Sequence, residues 1–242
     1  TTEEIDIFIQ HLGNDGQITF ETNGMNICSS EGMQFSALVR DDGLGGAFII
    51  WGDERTGNIS MRAQHLTING NLSYEDNGKE YFYSIEGDAL NPGAIPLYNG
   101  KGLFYWGDHR GGTQTSLTYG SKLSWDLSGA ESLLCDFTSQ EKPNAKVIGD
   151  NIVLGFNRVD IEDVYYQVLD YDLDFFNNEN EQNIGIPMIP QSPFQLIVDE
   201  DDFAYFVFSE DSDFGGSYNI YVQKLDFEGT PQWQNPVLAV EM

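Results

Sequence analysis

Two groups of charged residues, Asp53/Arg55 and Asp108/His109/Arg110, stand at matching points of GGAFIIWGDERTG (45–57) and GLFYWGDHRGG (102–112). In an extended chain, residues two apart point to the same face, so each Asp and its Arg lie side by side at a strand end. Two chemistries fit. The charged ends could form a polar rim that holds a ligand. Alternatively, each Asp caps its own turn and each Arg pairs with it or with the next repeat. Repetition favours the second reading, because a repeated residue serves what every copy needs.

Carboxylates gather again at Asp199, Glu200, Asp201 and Asp202, and at Glu210, Asp211 and Asp213. Hard oxygen ligands suit Ca²⁺, which makes Asp199, Asp201, Asp202, Asp211 and Asp213 the candidate metal ligands. Their spacing is not that of an EF-hand loop, and a solvated acidic hairpin is the other account. His11, His65 and His109 fall in different copies of the repeat and do not form a metal set. No HExxH, GxSxG or Walker pattern occurs. Glycosidic cleavage needs only two suitably spaced carboxylates, but 39 acidic residues offer too many pairs to choose from.

The same excess of acid bounds the partners. The 39 acidic residues outnumber 11 basic ones, for a net charge of −28 over 242 residues. Such a chain lacks the Lys and Arg that replace phosphate counterions, so nucleic acid is not an expected partner. Anionic membrane is disfavoured for the same reason. The charge suits solubility in a salty or extracellular medium, or cation binding. The longest apolar run, FAYFVF (203–208), is too short to cross a bilayer. TTEEID at the start does not read as a signal peptide.

The elements that must position these residues are legible as a repeat. An apolar run ends in an aromatic at Trp51, Trp106, Phe156 and Phe208, at intervals of 55, 50 and 52 residues. An alternating run follows, centred on Gln10, Gln64, Tyr119, Gln167 and Gln223, and after it come a turn and a further short run. In the first full copy the strands are expected near 33–40, 46–53, 58–66 and 71–76. DDGLG, ERTGN and TING supply the turns. No stretch of ten residues carries helical periodicity. Four strands in about 50 residues make a propeller blade, since one such sheet cannot bury both faces alone. A β-sandwich or another solenoid is the competing architecture.

The expected fold is therefore an all-β propeller in one domain, 1–242. It has four full four-stranded antiparallel blades near 33–85, 90–135, 142–187 and 192–240, and an N-terminal half-blade over 1–32. Whether the chain is part of a larger ring or carries an incomplete blade at its seam stays open. Cys28 and Cys135 fall at matching points, in the connections that leave the fourth strands of copies two blades apart. That separation is too wide for a disulfide, so two unpaired thiols are expected.

The pattern G-G-x-x-x-x-W-x-D-x-R-x-G followed by Q-x-L-x-x-x-G resembles repeats of large secreted and cell-surface β-propeller proteins of bacteria. Gly45, Gly46, Trp51, Asp53, Arg55, Gly57, Gln64, Leu66 and Gly70 carry the match, as do Trp106, Asp108, Arg110 and Gly112, and NIYVQKLDFEG at 219–229. GFNRVDIED and FSEDSDFGG depart from it. The resemblance implies a propeller that is exported or displayed on the cell surface. Regular repeats, acidity and the lack of a catalytic motif favour a non-catalytic scaffold or binding module for a protein or glycan partner. The alternative is a carbohydrate-active hydrolase or lyase on a propeller, with its acids on the deviating turns 156–163 and 208–216.

Overall fold

A computed structural model describes residues 5–97, 101–110, 117–124, 126–129, 131–135, 140–158, 163–176, 181–185, 191–211 and 218–241. Every regular element among them is a strand. None is a helix long and apolar enough to cross a membrane. β1 (Ile7–Ile9) and β2 (Met25–Cys28) form a two-stranded sheet.

Four four-stranded antiparallel sheets follow. The first holds β3 (Gln34–Asp41), β4 (Ala47–Asp53), β5 (Ser60–Leu66) and β6 (Lys79–Phe82). The second holds β7 (Ala89–Leu97), β8 (Lys101–Asp108), β9 (Leu117–Ser124) and β10 (Glu131–Cys135). The third holds β11 (Gln140–Ile148), β12 (Asn151–Arg158), β13 (Asp163–Asp170) and β14 (Gln182–Asn183). The fourth holds β15 (Gln191–Val198), β16 (Ala204–Asp211), β17 (Tyr218–Leu225) and β18 (Val237–Val240). Each is a propeller blade, paired in simple up-and-down order.

The second strand of each blade supplies the core, because it alone is apolar on both faces. Trp51, Trp106 and Phe156 are 0 % exposed and Phe208 is 1 % exposed, and each packs between neighbouring sheets. Ile49 and Trp51 meet Ile7, Ile27 and Cys28 of the half-blade. Phe48 and Ile50 meet Ala94 and Phe104 of the second blade. Leu154 and Phe156 meet Leu103 and Tyr105, and Phe206 and Phe208 meet Val164 and Tyr166.

The fourth strand of the first blade begins later than the sequence suggests, at Lys79 rather than near residue 71. The glutamine at the centre of the repeat explains the shift. Gln64 Nε2 donates to the carbonyls of Tyr74 and Glu75, and its Oε1 accepts from Tyr74 N–H. Its side chain thus takes the place of a strand neighbour over 74–75. A turn at Asn77 and Gly78, both at positive φ, then returns the chain to the ladder. Gln10 repeats this clamp on Phe20 and Glu21, and Gln223 donates to the carbonyl of Trp233.

The acidic turns have an equally local cause. The Oδ1 of Asp42, Asp170, Asp199 and Asp226 each accepts from the N–H groups two and four residues on. These are Asx turns, in which a carboxylate satisfies the open end of a hairpin.

Candidate functional site

The Trp-x-Asp-x-Arg groups are internal locks. Asp53 is fully buried. Its Oδ2 accepts from Trp51 Nε1 at 3.0 Å and Arg55 Nη2 at 2.6 Å. Its Oδ1 accepts from Arg55 N–H at 3.0 Å and Arg55 Nε at 2.7 Å. Arg55 also reaches Cys28 Sγ at 3.0 Å and the carbonyl of Asn77, which ties the half-blade to the first blade. Asp108 repeats the pattern with Trp106 Nε1 and Arg110, and Arg110 adds a two-pronged pair with Glu131. The guanidinium of Arg110 also lies over the rings of Phe82 and Tyr119. His109 contributes its backbone N–H to the carbonyl of Asp88.

Cys28 is a buried free thiol. It pairs with Ile7, the level that Phe82 holds opposite Met61 in the first blade. Cys135 pairs with Thr118 beside a bulge. Thr118 faces Gly107 as Met61 faces Gly52, and the same bulge follows in all three sheets, so the two cysteines occupy matching points two blades apart.

Of the acidic cluster, Asp199 caps its own turn and its Oδ2 accepts from Tyr205 Oη at 2.9 Å. Asp201 and Asp202 are exposed on that turn. The side chain of Asp211 and all of Asp213 lie outside the described residues. Among the described residues, no three His, Cys, Asp or Glu side chains converge as a metal site.

Two of these carboxyls set the acid response. Burial pushes Asp53 up, but its bonds from Arg55 and Trp51 outweigh that and hold the group below the usual carboxylate range. Burial likewise raises Asp42, and His65 with the N–H groups of Leu44 and Gly46 more than reverses it. A depressed folded pKa adds stability above the unfolded value, near 3.9 for aspartate, and loses it as pH falls through the folded value. The melting temperature is expected to hold between about pH 7 and 5 and to fall below about 4, with a shallower fall in Asp42→Asn. Equal acid sensitivity in that variant would remove Asp42 from the account.

A cavity lies elsewhere, on the axis between the first strands. It has a volume of about 460 Å³. Each first strand breaks register at the same level, between Phe35 and Leu38, Leu90 and Gly93, Glu141 and Asn144, and Gln191 and Phe194. These bulges turn Ser36, Ala37, Asn91, Pro92, Pro143, Asn144, Phe194 and Gln195 onto the axis, so all four blades contribute one layer. Ser36 and Asn91 sit at φ 54 and 53, in the left-handed region that non-glycine residues seldom adopt. Strain of this kind gathers where a site must be shaped.

Arg40, Tyr105 and Asn157 complete the lining. Burial pushes the Tyr105 hydroxyl up, partly offset by the Ala145 N–H it accepts and by Arg40 nearby. None of the described lining residues is a carboxylate. The cavity does not include Asp53, Arg55, Asp108, His109 or Arg110. It was missed in the sequence, although proline inside a strand marks a bulge, and Pro92, Pro143 and Pro193 recur at this level.

Among proteins of known structure, the arrangement is that of a β-propeller. No protein-family model and no curated protein matches the sequence. Solved structures do match the fold. A Penicillium chrysogenum α-L-arabinanase complexed with arabinobiose has a TM-score of 0.56 at 10 % identity, over 82 % of this chain and 66 % of its own. A thermostable family-43 glycoside hydrolase has a TM-score of 0.54 at 12 % identity, over 86 % and 77 %. A family-43 β-xylosidase/α-arabinofuranosidase from a compost microbial metagenome, in complex with xylotriose, has a TM-score of 0.51 at 12 % identity, over 96 % and 84 %. At these identities the likeness establishes the fold, which in this group is a five-bladed propeller. It also corrects the expectation of a non-catalytic scaffold: glycoside hydrolases predominate among the solved structures that share this fold, with a prolyl oligopeptidase beside them, which favours the carbohydrate-active alternative.

Proposed function

We propose that the protein is a carbohydrate-active hydrolase that takes a sugar chain into the axial cavity. One observation carries the reading: four blades bend the same layer of their first strands to build a single cavity on the axis. Its lining suits a sugar. Asn91, Asn144, Asn157 and Gln195 line it with amides and Tyr105 and Phe194 line it with rings, and sugars present polar edges beside apolar C–H faces. The arabinobiose and xylotriose bound by the structural neighbours make pentose oligomers the first substrates to try.

Hydrolysis needs two carboxylates, about 5–9.5 Å apart according to mechanism. No described residue of the cavity lining supplies them, and the two buried carboxyls nearest the deviating turns, Glu210 and Asp163, stand outside that lining. Both are buried, at 0 % and 2 % exposure. They bound the second-to-third-strand turns of the two blades that depart from Trp-x-Asp-x-Arg. Glu141, Asp160, Glu162, Asp211 and Asp213 belong to the same region of the sequence, with side chains outside the described set. The repeat resemblance adds an exported or cell-surface location to the proposal, with a glycan as partner.

The test is incubation of the protein with arabino- and xylo-oligosaccharides, with products read by chromatography and mass. New reducing ends, each fragment pair heavier than its parent by one water, are expected. Among the acids of the deviating turns, replaced singly as Asp160→Asn, Glu162→Gln, Asp211→Asn and Asp213→Asn, two are expected to slow release by about 100-fold or more. Binding of these sugars without cleavage would count against the hydrolase.

A further inference from the structure

We infer that the axial cavity reads a carboxylate on the sugar chain, so that the ligand is a glycan bearing an isolated uronate, and that Arg40 is the residue that binds it. The inference rests on the cavity being the carbohydrate site proposed above.

The five arginines of this chain are not alike. Arg55, Arg62 and Arg110 each form an ion pair with a protein carboxylate. Arg158 lies over the ring of Tyr165. Arg40 alone lines the cavity, and its guanidinium donates to the carbonyl of Val39 at 2.9 Å. Among the described residues it forms no ion pair. Where acids outnumber bases by 39 to 11, an arginine that forms no ion pair among the described residues is the exception.

Among the described residues, nothing requires its charge there. Arg40 is half-buried, and no described lining residue is a carboxylate for it to neutralise. The cavity's own hydrogen-bonding groups are amides, and Asn91 and Asn144 hold N–H donors that a carboxylate accepts. The guanidinium's planar fork matches a carboxylate with two parallel bonds. The rest of the molecule sets the kind of acid. A net charge of −28 repels a polyanion, while one arginine on the axis offsets one charge. A largely neutral chain with single uronate branches fits both facts, and a polyuronate does not.

Calorimetric titration of the intact protein tests this with matched probes. These are a glucuronic-acid-branched xylo-oligosaccharide and a galacturonic acid–rhamnose oligosaccharide, each beside its carboxyl-reduced form. At least one acidic probe is expected to bind about 10- to 100-fold more tightly than its reduced partner, the range of a hydrogen bond to a charged group. Arg40→Gln should abolish that preference, so that the acidic and reduced forms bind alike, at an unchanged melting temperature. Arg40→Lys should keep part of it. Equal binding within both pairs, a preference that survives Arg40→Gln, or failure of both acidic probes to bind would overturn the inference. The two readings fail separately. Cleavage of neutral sugars with no acidic preference would leave the hydrolase standing, and an Arg40-dependent preference without cleavage would leave the recognition standing.

Discussion

Trp51→Ala is expected to destabilise the protein by about 3–5 kcal/mol, the range for deleting a large buried aromatic. The ring is 0 % exposed. It fills the interface between the half-blade and the first blade, against Ile7, Ile27, Cys28 and Leu66. The turn that carries Gly78 closes directly on it: a Cβ on Gly78 would stand 2.2 Å from the indole. Alanine would therefore leave a void that this backbone cannot easily collapse to fill. It would also remove the indole N–H from Asp53, which is too buried to find water instead. Trp51→Phe keeps most of the ring and should cost less. Denaturant unfolding of the three proteins checks the order, and a loss below about 1 kcal/mol for the alanine variant would show the interface to be loosely packed there.

Asp53→Ala is expected to cost a similar 3–5 kcal/mol, because removing one partner of a buried ion pair strands the other. Arg55 would be left with the Cys28 thiol and one carbonyl. Asp108→Ala should cost less, although the motif is the same. Arg110 is more exposed than Arg55, at 26 % against 17 %, and it keeps Glu131 at 3.0 Å. Water and the second carboxylate both soften the loss. Equal destabilisation by the two variants would mean that the motif, rather than its surroundings, sets the energy. Neither substitution is expected to alter sugar release in protein that remains folded, since neither residue reaches the cavity.

The sequence made the blades legible because each carries its own signals. Apolar runs ending in Trp or Phe marked the second strands, and Asn-Gly or Gly-rich pairs marked hairpins. The regular spacing of Gln10, Gln64 and Gln223 was visible, but not its meaning. A side-chain clamp that replaces a strand neighbour looks, in one dimension, like one more polar position. Attention to charge led to Asp53, Arg55, Asp108 and Arg110, which the fold spends on one another. The cavity residues escaped for the opposite reason. Ser36, Ala37, Asn91 and Pro92 carry no chemical signature singly, and only the shared bulge brings them to the axis. Arg40 was likewise silent, since an arginine is remarkable here only once its neighbours are known.

The central claim, a sugar-cleaving site on the axis, is tested most directly by filling that axis. Ala37 is exposed on the cavity wall. Ala37→Trp therefore blocks the space without entering the packed sheets, and the fold should melt as before. With the arabino- and xylo-oligosaccharide panel, the account predicts release of shorter sugars by the unaltered protein and loss of about 100-fold or more of that rate in Ala37→Trp. Undiminished release by the blocked variant, or no release by the unaltered protein from any member of the panel, would contradict it.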